Sequence, residues 1–208
     1  MAEYYGQFET DKLIEMYCPE RSGYCVEVGA GDGVRGSNTA HFENKGWQAL
    51  CIEPNINLFA ECKASRPVTL HCACGENERI DTLAVYDIGE RKIQTSCSSL
   101  RPDTRLVDQH RRLINNTWDQ PVRVFKLDTL LQLAGFPNEI DFISIDTEGT
   151  ELEVLKGLSL DKWKIRLLVV ENNFNDTDVE EYLHDFGYVK DARYKINDFY
   201  LKEENCET

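Results

Sequence analysis

The chain has 208 residues, a length that suits one domain with a sizeable buried core. Its 41% hydrophobic and 29% charged residues describe an ordinary folded protein, and no run approaches the ~18 apolar residues of a membrane span. The formal net charge of −14 argues against nucleic-acid backbones as the main partner, because that binding depends on Lys and Arg neutralising phosphates.

The opening MAEYYGQFETDK has neither the basic nor the apolar region of a signal peptide, which leads us to expect a cytoplasmic protein. Tyr24–Val28 reads as the first strand and breaks at Gly29, Ala30, Gly31 and Gly33. Glycines so placed let the chain turn sharply and approach a ligand. A helix over Thr39–Asn44 and a second strand, Ala49–Ile52, follow, and Glu53 closes that strand, where a carboxylate can accept hydrogen bonds from two ribose hydroxyls. The pattern is that of an adenosine pocket.

Two cofactor classes fit such a pocket. GDGVRG, read from Gly31, satisfies the dinucleotide spacing, but the glycine directly after the strand is Gly29, and six-residue spacing from it falls on Val34. Glu27, two residues before the first glycine, suits a cation better than a pyrophosphate. S-adenosylmethionine, with a sulfonium and an amino group and no phosphate, is the better match.

Ile56–Ala64 is expected as a helix and Val68–Cys72 as a third strand, so strands and helices alternate as in a parallel sheet covered on both faces. Residues 75–121 break the pattern and read as an insertion with one or two strands and a mobile lid or substrate segment. Within it, RPDTRLVDQHRR gathers Arg101, Arg105, His110, Arg111 and Arg112, either as a solvated helix face or as a contact for an anionic acceptor. Alternation resumes with the strand Val122–Phe125, a helix over Thr129–Ala134, the strand Ile140–Ile145 and the helix Glu151–Leu155. The strand Ile165–Val170, a helix over Val179–Phe186 and strands near Tyr188 and Phe199 complete the pattern. Of the eight cysteines, Cys25, Cys51 and Cys72 sit in apolar runs, and no spacing completes a zinc site, so reduced buried thiols are expected.

A second constellation lies in IDFISIDTEGTELEVLKG. Asp146 closes a strand, Glu148 lies in the following turn beside Gly149, and Glu151 opens a helix, where a carboxylate is favourable for dipole reasons alone. The next strand ends LLVVENN, with Glu171, Asn172 and Asn173. Ligands of open parallel sheets bind at the carboxyl ends of strands. Asp146, Glu148 and Glu171 are therefore candidate catalytic groups, and Asp146, Glu171 and Asn172 offer oxygen ligands for Mg²⁺, Mn²⁺ or Ca²⁺.

Taken together, CVEVGAGDGVRGSNTAHFENKGWQALCIEPN, SSLRPD, IDFISIDTEGTELEVLKG and VVENN resemble the FkbM family of S-adenosylmethionine-dependent methyltransferases over roughly residues 23–202. The resemblance implies a class I, Rossmann-like three-layer α/β sandwich with a mostly parallel seven-stranded sheet. It implies O-methylation of a sugar, glycan or natural-product hydroxyl, and a small-molecule or glycan acceptor. By position, Glu27 and the glycines match the family's cofactor loop. Ser37, Asn38 and Thr39 match its SNT segment near the methionine end, Glu53 its ribose acid, and Cys74 the place where the adenine passes. Many members have a histidine where this chain has Asn172, which puts histidine-based proton transfer there in doubt. Two other readings stay open: a non-catalytic cofactor- or glycan-binding part of a larger polypeptide, and an NAD-dependent oxidoreductase.

Overall fold

The computed structural model describes residues 3–88 and 95–203. A 3₁₀ turn, Gln7–Glu9, leads into α1, Thr10–Tyr17. β1 spans Tyr24–Val28, α2 Ala40–Asn44, β2 Gln48–Ile52, α3 Ile56–Ser65, β3 Thr69–Leu70 and β4 Ala73–Cys74. The insertion carries β5, Arg79–Ile88, then β6, Thr95–Ser99, and α4, Thr104–His110. Then follow β7, Ile114–Phe125, α5, Leu127–Leu133, β8, Glu139–Ile145, α6, Glu151–Lys156, β9, Lys164–Glu171, α7, Asp178–His184, β10, Tyr188–Tyr194, and β11, Asn197–Lys202.

Seven strands form the main sheet in the order β3-β2-β1-β8-β9-β11-β10. Pairings from β3 to β9 are parallel, and β11 runs antiparallel to both its neighbours. The period-2 alternation of strand side chains divides the core into two layers. Val26, Val28, Leu50 and Ile52 face Leu127, Leu131, Val154 and Leu183 of α5, α6 and α7. Cys25, Ala49, Phe142 and Val169 face Ile14 of α1 and Phe42 of α2. The expected three-layer α/β sandwich is present, and it brings the carboxyl ends of β2, β1, β8 and β9 side by side along one edge.

Three features correct the sequence-based elements. Thr69–Leu70 stays with β2 in the main sheet, whereas Ala73–Cys74 pairs with β7, so the expected third strand is divided between two sheets. Val122–Phe125 is the end of twelve-residue β7, which lies in a second, four-stranded sheet of order β4-β7-β5-β6. Its polar half, NNTWDQP, reads as loop because one face is exposed. Pro121 is tolerated because β7 pairs with β5 there while β4 reaches only Val124 and Phe125. Finally, α1 was not foreseen: its N-cap Glu9 has φ 59° and makes no side-chain cap, so the usual start signal is missing. Residues 89–94 of the insertion and the tail after residue 203 lie outside the described residues.

Among the described residues no helix is long and apolar enough to cross a membrane. Cys18, Cys25, Cys51, Cys62, Cys72 and Cys74 are free and buried. Burial pushes the Cys18 and Cys72 thiols up to about 12, so they are protonated at neutral pH.

Candidate active site

The site starts at the end of β1. The Gly29 and Ala30 N–H groups donate to the Ile52 carbonyl at 2.9 and 3.1 Å, and the Asp146 N–H donates to the Val28 carbonyl at 2.9 Å. Gly29 has φ 88°, and a Cβ there would lie 1.7 Å from the Asp146 carbonyl oxygen, so both conformation and space require glycine. Gly31, at φ 57°, is different: a Cβ there would meet nothing within 4 Å. That open space belongs to a cavity of about 680 Å³, within the roughly 300–1,000 Å³ common for small-molecule sites.

The cavity runs along the sheet edge. Cys72, Ala73, Cys74 and Leu58 line one end, Glu53 and Gly29–Asp32 the middle, and Asp146, Glu148, Glu171, Asn173 and Ile196 the other end. Leu106, Gln109 and His110 of α4 also line it. Glu53 is buried and accepts from the Gly31 N–H at 2.8 Å and the Asn55 N–H at 2.7 Å. Burial pushes its carboxyl up to about 8, with these two bonds pulling back and the charges of Asp146 and Glu27 adding.

Glu27 borders the cavity, but the chain itself surrounds it with donors. Ser37 Oγ and Thr39 Oγ1 donate to Glu27 Oε2 at 2.6 Å each, and the Asn38 N–H donates to Oε1 at 2.6 Å. Behind them buried Arg66 donates to the Gly33 carbonyl, Ser37 Oγ and Thr39 Oγ1, and pairs with Glu43 at 2.6 Å. Gly33, Ser37, Asn38 and Thr39, expected near the cofactor, are not among the residues that line the cavity. They hold the turn from behind. Arg66 gave no motif to read; only its burial marks it.

At the ends of β8 and β9, carboxylate oxygens of Asp146, Glu148 and Glu171 come within 4.8 Å of one another. Burial first, then the charges of Glu151 and Glu27, pushes Asp146 up to about 6, while a hydrogen bond with Glu171 pulls it down. Burial, then the charges of Asp146, Glu148 and Glu151, raises Glu171 well above the usual range. Glu171 Oε2 is buried without a hydrogen-bond partner. Glu148 has φ 59°, a sparsely populated conformation for a non-glycine residue. Glu151 turns onto its own loop, accepting from Thr147 and Gly149 at 2.9 to 3.1 Å, a helix-start role.

Asn172, expected among the metal ligands, is held in its own loop: its amide donates to the Asp176 carbonyl and to Asp198 at 2.8 Å each and accepts from the Asp176 N–H at 2.9 Å, while Glu148 joins Asp146 and Glu171 in the acidic cluster. Of the basic segment, Arg101 and Arg105 form ion pairs within the chain. Arg101 pairs with Asp81 at 3.0 Å, and Arg105 with Asp103 and Asp176 while stacking on Phe174 at 4.0 Å. The cavity-facing part of that segment is Leu106, Gln109 and His110.

After the glycine turn the first helix begins only at Ala40, so no helix N-terminus stands where a pyrophosphate would need one. A Rossmann-like sheet with this turn, an acid ending the second strand and an antiparallel β11 is the arrangement of a class I methyltransferase. The sequence model described as the Methyltransferase FkbM domain matches residues 27–190, and the chain belongs to that family of S-adenosylmethionine-dependent methyltransferases. Distant structural likenesses accompany it. The precorrin-6y C5,15-methyltransferase of Geobacter metallireducens is 12% identical over 97% of this chain and 90% of that one, with a TM-score of 0.47. The METTL16 MTase domain is 15% identical over 93% and 65%, with a TM-score of 0.48. TrmK of M. capricolum, solved with S-adenosyl-homocysteine, is 10% identical over 91% and 67%, with a TM-score of 0.42. No curated protein matches the chain.

Proposed function

We propose that the protein transfers the methyl group of S-adenosylmethionine to a hydroxyl of a sugar, glycan or related natural product. The observation that carries this reading is one continuous cavity that joins the glycine turn and Glu53 to three carboxylates on the next strand ends. Glu53 would hold the ribose hydroxyls and the Cys72–Cys74 wall would receive the adenine of the cofactor, whose methyl group would be transferred at the end of the cavity lined by Asp146.

The reaction is an in-line displacement: the acceptor oxygen attacks the methyl carbon, the C–S bond breaks, and its electron pair returns to sulfur. Alignment and water exclusion supply most of the acceleration. The hydroxyl proton goes to Asp146, whose carboxyl, pushed up to about 6, is ionised yet basic enough near neutral pH. Glu148 and Glu171 orient the acceptor. Isotope-labelled cofactor incubated with a panel of sugars and glycans, followed by mass spectrometry, tests the reading; label on nitrogen or carbon alone would refute O-methylation.

The same three carboxylates would also suit a hard divalent cation, because close like charges need either a proton or a cation between them and Glu171 Oε2 has no partner. Such an ion would weaken the acceptor O–H bond. Calorimetry with MnCl₂ tests this, and absence of saturable binding leaves the proton as the bridging charge.

A further inference from the structure

The turn Gln7–Glu9 does two unusual things. Phe8 and Glu9 take φ values of 60° and 59°, two successive left-handed residues without a glycine, and Phe8 keeps 44% of its surface exposed while lining the cavity. A bulky residue in this conformation is an outlier that persists only where its surroundings over-determine it.

The surroundings do so here. The Gly36 N–H donates to the Tyr5 carbonyl at 2.9 Å, which ties the turn to the glycine loop. Buried Asp11 accepts from the Tyr5 N–H at 2.6 Å, and Thr10 Oγ1 donates to the Gln7 carbonyl at 2.6 Å. From the other side Tyr194 Oη donates to the Phe8 carbonyl at 3.1 Å. The turn is therefore a strap stretched from the loop after β1 to the hairpin between β10 and β11.

Sheet order locates what lies beneath it. The cavity passes from β4 and β2, with the adenine wall and Glu53, to β1, and on to the acidic ends of β8 and β9. A cofactor with its ribose on Glu53 would extend its methionine half across β1, and the strap is fastened there. We propose that this strap is a wall of the cofactor site at the methionine end, with the Phe8 ring laid against the sulfonium. The inference rests on the cofactor reading above. An aromatic face attracts a sulfonium, as it does other cations, and adds nothing of the kind for the neutral thioether of the product. Lys195 Nζ lies 5.9 Å from the ring centroid.

Calorimetry of the full chain with S-adenosylmethionine and S-adenosyl-homocysteine tests the proposal. Phe8→Ala should weaken binding of S-adenosylmethionine about tenfold and of the product less, and Phe8→Trp should keep both. Phe8→Gly should lose affinity as Phe8→Ala does while melting no lower than wild type, because glycine is at home at φ 60°. Wild-type affinity in Phe8→Ala, or its return in Phe8→Gly, would overturn the proposal. Failure of the wild-type protein to bind either ligand would instead overturn the cofactor reading, before any variant is made.

Discussion

Gly29 and Gly31 stand two residues apart in one turn but do different work. A methyl group at Gly29 would drive into the Asp146 carbonyl, so Gly29→Ala should lower stability by about 2 kcal/mol or more, read as a fall in melting temperature. A methyl group at Gly31 meets only open space, so Gly31→Ala should cost about 1 kcal/mol of stability for its positive φ yet sharply weaken cofactor binding. Equal melting temperatures for the two variants would contradict this division. Asp146 separates chemistry from binding in the same way. Asp146→Asn should reduce turnover about a hundredfold while cofactor affinity stays near wild type, and unchanged turnover would remove it as the base.

At the scale of elements, α4 lines the cavity with Leu106, Gln109 and His110, and it is held by Arg105 as well as by apolar packing. Leu106 is its one buried residue, whereas Arg105 bridges to Asp176 and covers Phe174 on the loop after β9. Arg105→Ala should therefore raise hydrogen exchange across residues 104–110 without a comparable change in β8 or β9. Uniform protection in the variant would show that the helix is held by other contacts. The second sheet has a simpler logic: β5 and β7 pair over ten residues as a long antiparallel ribbon outside the main sheet, and the polar half of β7 is largely exposed.

For the whole molecule, the raised carboxyls set a pH dependence. Glu53 and Asp146 have folded values of about 8 and about 6, above the usual carboxyl range, so their protonated forms favour the folded state. Stability from these groups is full below about pH 4 and is lost as pH rises through about 6 and then 8. Ligand-free protein should thus lose stability between pH 5 and 8 relative to Glu53→Gln, measured by thermal melts across that range. Parallel curves for the two proteins would show that Glu53 ionises normally.

Much of this molecule was legible in the sequence, for a physical reason. β1, β2, β8 and β9 are buried on both faces, so their apolar runs announced themselves, and the glycines, Glu53 and Asp146 fall at strand ends that such runs locate. Periodicity is a local property. The partners of Glu27 are not: Arg66 reaches it from the end of α3, and the strap at Phe8 reaches the cavity from the N-terminus, through contacts with no sequence spacing. Asn172 is engaged by Asp176 and Asp198 for the same reason, because which oxygen is left for a cluster depends on where neighbouring loops place competing partners. The sequence determined the sheet, the glycine turn and the acids at its edge, since each follows from local pattern. Only the tertiary structure decided which of them face the cavity, because that depends on long-range packing.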